Sequence, residues 1–232
     1  MRREFYLLSI IPNQQSRLRL QGLRHHLFQA HGLASAMAFE PVIPLAWFEA
    51  PVDSSGYARF STGKDKKNCT DTLPQQPSTP RIELGEPKFW ASHLYISVIM
   101  QPESLLQELI LAAGQSPVPG STLQRSTMPA SMTPEGGSPP IPATEGIFLA
   151  ANEAEITGTL GVGFSSGAKS EHSSQADLLQ TTENRLAQQF SADRSLGSTR
   201  IGMYSICFSP DFRQWWEHVE WTLEWKIQLK RA

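Results

Sequence analysis

Phe5-Tyr6-Leu7-Leu8-Ser9-Ile10-Ile11-Pro12, an Arg- and Leu-rich stretch ending at His31-Gly32-Leu33, and Phe39-Glu40-Pro41-Val42-Ile43-Pro44-Leu45-Ala46-Trp47-Phe48 together decide how the chain folds. Glu4 to Ile11 is apolar and rich in β-formers, which predicts a strand buried on both faces. Pro12-Asn13 breaks it, and Leu20, Leu23, Leu27 and Ala30 then recur at helical spacing until Gly32 supplies a stop. Phe39 to Phe48 reads as a second, short strand whose hydrogen bonding is limited by Pro41 and Pro44.

Working outward, His93 to Met100 predicts another strand. Pro102 opens a helix carrying Leu105, Leu106, Leu109, Ile110 and Ala113, and Gly114 closes it. Gly146 to Ala151 and Ile201 to Phe208 read as strands, and Val219 to Leu229 as the longest. In that last one Val219, Trp221, Leu223, Trp225, Ile227 and Leu229 alternate with polar residues, predicting one buried and one wet face. Two strand-helix-strand units with antiparallel additions make an α+β class, expected as a single bilobal domain with a pseudo-two-fold.

Three windows break the periodicity. From Gln115 to Thr144 there are seven Pro, three Gly, five Ser and four Thr, so this stretch has too little apolar surface to offset its ordering entropy. Pro51 to Pro87 is interrupted by Ser54-Ser55-Gly56 and by Pro74, Pro77, Pro80 and Pro87. Gly163 to Thr199 is rich in Ser, Gly and Gln, although Ala176, Leu178, Leu179, Leu186, Ala187 and Phe190 could form one weak helix. The expected organisation is a first-lobe core at 1–50, an insert at 51–87, and a second-lobe core at 88–114 and 145–162. Inserts follow at 115–144 and 163–199, and C-terminal strands at 200–232.

Composition bounds function. The 232 residues carry 20 Lys+Arg against 22 Asp+Glu, so no overall positive field favours nonspecific nucleic-acid binding. Cys69 and Cys207 are too few for a disulfide framework or a thiolate zinc site, which fits a reducing compartment. The apolar stretch after Met1-Arg2-Arg3 stops at Pro12-Asn13, too short for a signal h-region, and no apolar run approaches the roughly 20 residues that span a bilayer. The expectation is a soluble, cytoplasmic protein with neither metal nor cofactor.

The opening strand, the helix after it and the Phe39–Phe48 strand resemble the first lobe of the two-histidine phosphoesterases, the superfamily of 2'-5' RNA ligase-like and cyclic nucleotide phosphodiesterase proteins. His93 to Gly114 resembles the strand and helix that open that family's second lobe. Glu145-Gly146-Ile147-Phe148-Leu149-Ala150 falls where its second motif is expected. The resemblance implies one H-x-T/S motif per lobe, with two histidines exchanging acid and base roles on a phosphodiester and the hydroxyls holding phosphate oxygens. The matching positions here are Val42-Ile43-Pro44 and Gly146-Ile147-Phe148, so both histidines and both hydroxyls are missing. Neither Val42 nor Gly146 can move a proton, and neither Pro44 nor Phe148 offers a hydroxyl.

Among other candidates, His93 alternates with Tyr95 and Ser97 on one strand face, as a partly exposed or hydrogen-bonded histidine or as a displaced catalytic pair with Ser97. His172-Ser173-Ser174 repeats the His-hydroxyl spacing inside an insert. His25, His26 and His31, with Arg17, Arg19 and Arg24, read as the solvated side and C-terminal end of the first helix, or as a phosphate-binding patch. Gly158-Thr159-Leu160-Gly161-Val162-Gly163 lacks the context of a dinucleotide site and reads as a strand exit. Cys207 reads as an inert core thiol.

Four of six tryptophans, Trp215, Trp216, Trp221 and Trp225, cluster near the C-terminus. Trp221 and Trp225 are expected in the core. Trp215 and Trp216 are expected to cap the last strand, beside His218 as a packing residue, or to form a surface for a protein partner. Stacking on nucleic acid is the less favoured partner reading because few cations interleave. The leading expectation is a noncatalytic relative of these phosphoesterases serving binding or interaction. The alternatives are an active phosphodiesterase on RNA or cyclic nucleotides using His93 and Ser97, and an assembly protein acting through its Trp-rich end.

Overall fold

A computed structural model of the chain describes residues 3–48, 50–52, 54–60, 81–90, 93–102, 107–109, 111–112, 146–151, 174–190, 194–208 and 216–229. Its strands are β1 (Arg3–Pro12), β2 (Ile43–Phe48), β3 (Arg81–Trp90), β4 (His93–Gln101), β5 (Gly146–Ala151), β6 (Ser195–Leu196), β7 (Ser198–Phe208) and β8 (Glu220–Gln228). The long helices are α1 (Gln14–His31) and α2 (Gln175–Phe190), with 3-10 turns at Ala34–Met37 and Ser55–Phe60. All described strand pairs are antiparallel, and they form two four-stranded sheets ordered β2-β1-β7-β8 and β5-β4-β3-β6. This is an α+β architecture.

Local chemistry sets the ends of α1. The Asn13 side-chain oxygen accepts from the Ser16 N–H at 2.8 Å, and Gly32 closes the helix at φ 70°, its N–H returning to the Phe28 carbonyl. β2 is buried along its whole length, yet its pairing with β1 slips beside Pro44, between Leu8 and Ser9. An edge position tolerates such a proline because one side of the strand needs no ladder partner.

The two faces of the sheets have separate cores. Leu20, Leu23 and Leu27 of α1 and Leu178, Leu186 and Phe190 of α2 cover one face, meeting Leu8, Ile10, Ile43, Leu45, Leu94, Ile96, Ile147 and Leu149. The opposite face holds Phe5, Leu7, Ile11, Phe39, Val42, Trp47, Phe148, Ala151, Tyr204 and Ile206, with Trp216, Val219 and Trp221 packed against it.

The strict alternation expected across Val219 to Leu229 does not hold. Leu223 pairs with Tyr204 and Trp225 with Met203, so Glu224 has no counterpart and forms a bulge. Trp221 therefore joins the helix-free core, while Trp225 and Ile227 join the helix-covered one. Each indole is tied down: Trp221 donates to the Ala38 carbonyl at 2.9 Å, and Trp225 to the Val52 carbonyl at 2.7 Å.

Two windows read as inserts contain ordered elements. The 51–87 window holds the turn at Ser55–Phe60 and most of β3, whose register slips between Leu84 and Pro87 so that the ladder passes Gly85 and Glu86. The 163–199 window holds α2, β6 and the start of β7. Leu178, Thr182, Leu186 and Phe190, four residues apart, bury one stripe of an otherwise polar helix. Gln115 to Thr144 lies outside the described residues. Of the helix expected after Pro102, residues 107–109 and 111–112 are helical, with Leu109 and Ala112 buried.

Candidate functional site

Register fixes which side chains share a face. On β1, Leu7 and Ser9 stand on the same side, and they oppose Trp47 and Pro44 of β2. On β5, Gly146 and Phe148 oppose Ser97 and Tyr95 of β4, with Leu149 passed over. Val42, Trp47 and Phe148 belong to the helix-free core. Val42, Pro44, Gly146 and Phe148 thus look onto one face common to both sheets.

That face is packed with rings. Phe39 lies 5.4 Å from Phe148 and meets Trp221 edge-on at 4.3 Å, while Tyr204 meets Trp221 edge-on at 5.5 Å. Such aromatic pairs add to the apolar burial that holds the face together. Gly146 has a further constraint, because at φ 153° a Cβ there would come within 2.0 Å of the Ile96 carbonyl oxygen. No side chain, imidazole included, fits this backbone as it stands.

His93 is not partly exposed as its alternation suggested. It is 3% exposed, its ring 6.1 Å from that of Phe148, and burial pushes its pKa down to about 4. At neutral pH the imidazole is uncharged. Ser97 donates its hydroxyl to the Glu86 carbonyl at 3.0 Å. The two sit four residues apart on β4, on the same face as Val42, Pro44, Gly146 and Phe148.

Arg24 was expected on the solvated side of α1 and is instead 2% exposed. Leu20, Leu23, Arg24 and Leu27 follow the i, i+3, i+4, i+7 spacing of one buried face, and that spacing was the signal available in the sequence. Its guanidinium donates from Nε and Nη2 to the Phe148 carbonyl, from Nη2 to the Glu40 carbonyl at 3.4 Å, and from Nη1 to the Phe39 carbonyl. Desolvation lowers its pKa to about 9, with Glu40 opposing the shift. Ser35 does a similar job nearby, accepting from the Ala151 N–H at 2.9 Å. Arg24 and Ser35 thereby satisfy backbone groups of β5, the edge strand of its sheet.

The remaining cations of α1 are also engaged. Arg17 pairs with Glu40 at 2.6 Å, and Arg19 lies over the Phe190 ring at 5.5 Å. Burial, then the neighbouring His26, lowers the His31 pKa. Gln21, Arg24, Met37, Phe39, Glu40 and Trp221 surround a cavity of about 230 Å³ that also touches Ala36, Ala38 and Pro41. This cavity had no counterpart in the sequence reading, because its walls come from α1, the segment after it and β8.

Of the other candidates, Trp216 is half-buried against the aromatic core, His218 is exposed rather than packed, and Cys207 is half-buried. Trp215, Cys69, His172 and Gly158 to Gly163 lie outside the described residues. Among the described residues, no three His, Cys, Asp or Glu side chains cluster as metal ligands, and no helix is long and apolar enough to cross a membrane. A scan against protein-family models returns no match, and a search of curated proteins returns none either.

Proposed function

We propose that the chain is a noncatalytic, degenerate relative of the two-histidine phosphoesterases that works by binding rather than by hydrolysis. In this reading the two sheets are the two lobes of a pseudo-symmetric ancestor, the Pro- and Ser-rich stretch at 115–144 is an insert, and the protein is cytoplasmic. One observation carries the proposal: Val42, Pro44, Gly146 and Phe148, the positions matched to the two lost motifs, share one face of both sheets. Descent from one two-lobed site requires the four positions to share a face, and their sharing it supports the reading.

The chemistry of that face favours binding over turnover. Phosphodiester cleavage needs a proton donor and acceptor that reach the substrate, and a polar pocket for the phosphate. Here the face is filled by Phe39, Trp47, Tyr204 and Trp221. His93 is enclosed and neutral beside Phe148, and the Ser97 hydroxyl is committed to a backbone carbonyl. Purified protein is expected to leave 2',3'-cyclic nucleotides and 2'-5'-linked oligonucleotides intact. Turnover that disappears in a folded His93→Ala variant would overturn the proposal in favour of the displaced-residue phosphodiesterase.

A further inference from the structure

The cavity beside Arg24 combines three features. It is small, about 230 Å³, and has an apolar wall made by Trp221, Phe39 and Met37. It is lined by a guanidinium that has been removed from water. Among the described residues, the hydrogen bonds made by Arg24 go to carbonyl oxygens and none to a carboxylate. The one carboxylate in the wall, that of Glu40, is held by Arg17 at 2.6 Å and from there only partly offsets the cost of burying Arg24.

Donor arithmetic adds the third feature. A guanidinium has five N–H groups, two of them on Nη1. Among the described residues Nη1 of Arg24 makes a single bond, to Phe39, and Arg24 lines the cavity. Gln21 lines the same cavity and offers an amide on the exposed flank of α1. A buried cation is stabilised when an anion replaces its lost hydration, and charge-assisted hydrogen bonds are the stronger kind.

We propose that this cavity binds a small organic carboxylate with an apolar or aromatic body. The carboxylate accepts from Arg24 Nη1 and the Gln21 amide, and the body packs against Trp221 and Met37. This rests on the binding reading given above and concerns a pocket at the rim of that face, sharing Phe39 and Trp221 with it. Binding in this pocket and turnover on the face are read by separate measurements, so failure of one is distinguishable from failure of the other.

The full chain is titrated by calorimetry with phenylacetate, its neutral amide phenylacetamide, and inorganic phosphate. Phenylacetate is expected to bind with a dissociation constant at or below about 1 mM. The amide should bind at least about tenfold more weakly, since it cannot form the charged bond to Arg24. Phosphate should also be weaker by about tenfold or more, since it has no body to bury. Gln21→Glu, an exposed substitution that keeps the fold, places a like charge on the ligand and should abolish phenylacetate binding. Trp221→Leu should weaken it. No phenylacetate binding, equal binding of acid and amide, phosphate binding as tight as phenylacetate, or an unchanged affinity in Gln21→Glu would each overturn the proposal.

Discussion

At position 146 the backbone itself excludes a side chain. Gly146 sits at φ 153° with the Ile96 carbonyl where a Cβ would go, so Gly146→Ala is expected to destabilise the protein by about 2 kcal/mol, read from urea unfolding. A change of less than about 0.5 kcal/mol would show that the strand relaxes freely. His93 makes a pH-dependent contribution. Its folded pKa lies near 4, below the ordinary 6.5, so in acid the unfolded chain takes up this proton before the folded one does. The associated stability is intact above pH 6.5 and is lost as pH falls toward 4, by about 3 kcal/mol in total. Comparing wild type with His93→Phe by urea unfolding at pH 7.5 and pH 4 isolates that loss. Parallel behaviour of the two proteins would contradict the burial argument.

Among the elements, β8 shows how one residue can reassign a strand. The bulge at Glu224 sends Trp221 to one core and Trp225 to the other. Deleting Glu224 would remove the unpaired residue and leave Leu223 opposite Tyr204 and Trp225 opposite Met203, so both indoles keep their cores and carbonyl partners. The expected change is under about 1 kcal/mol by denaturant unfolding, whereas a loss of about 3 kcal/mol or more would mean that the strand depends on the bulge itself. The sequence revealed the elements whose periodicity is unbroken: β1 from its apolar run, α1 from Leu20, Leu23 and Leu27 between Asn13 and Gly32, and β4, β5 and β7 from their cores. It concealed β3, because Gly85, Glu86 and Pro87 interrupt the alternation of Ile82 and Leu84 at a register slip. α2 was half visible, since its buried stripe is one residue per turn in a Gln- and Ser-rich setting. The Glu224 bulge and the cavity beside Arg24 were not legible, because each depends on which residue of a distant element lies opposite.

Across the whole molecule, two sheets share two cores of different kinds. The helix-covered core is built mainly of aliphatic side chains at regular spacing, which is the part that periodicity predicts. The opposite core is aromatic and is assembled from β1, β2, β5, β7 and the approach to β8. It occupies the face onto which Val42, Pro44, Gly146 and Phe148 look, so the absence of proton-transfer groups at those four positions and the filling of the face go together. Arg24 joins the two sheets at their inner edges, reaching from α1 to the Phe148 carbonyl of β5. Arg24→Met would remove the guanidinium donors from the carbonyls of Phe39 and Phe148. It is expected to destabilise by about 2 kcal/mol, the lost bonds outweighing relief of the buried charge. A gain in urea midpoint would reverse that weighting. Whether this face supports phosphodiester chemistry is read by incubating the purified protein with 2',3'-cyclic nucleotides and 2'-5'-linked oligonucleotides, alongside folded His93→Ala and Ser97→Ala variants. A noncatalytic face gives the same background conversion for all three proteins, whereas wild-type turnover well above that of the two variants would overturn the binding reading.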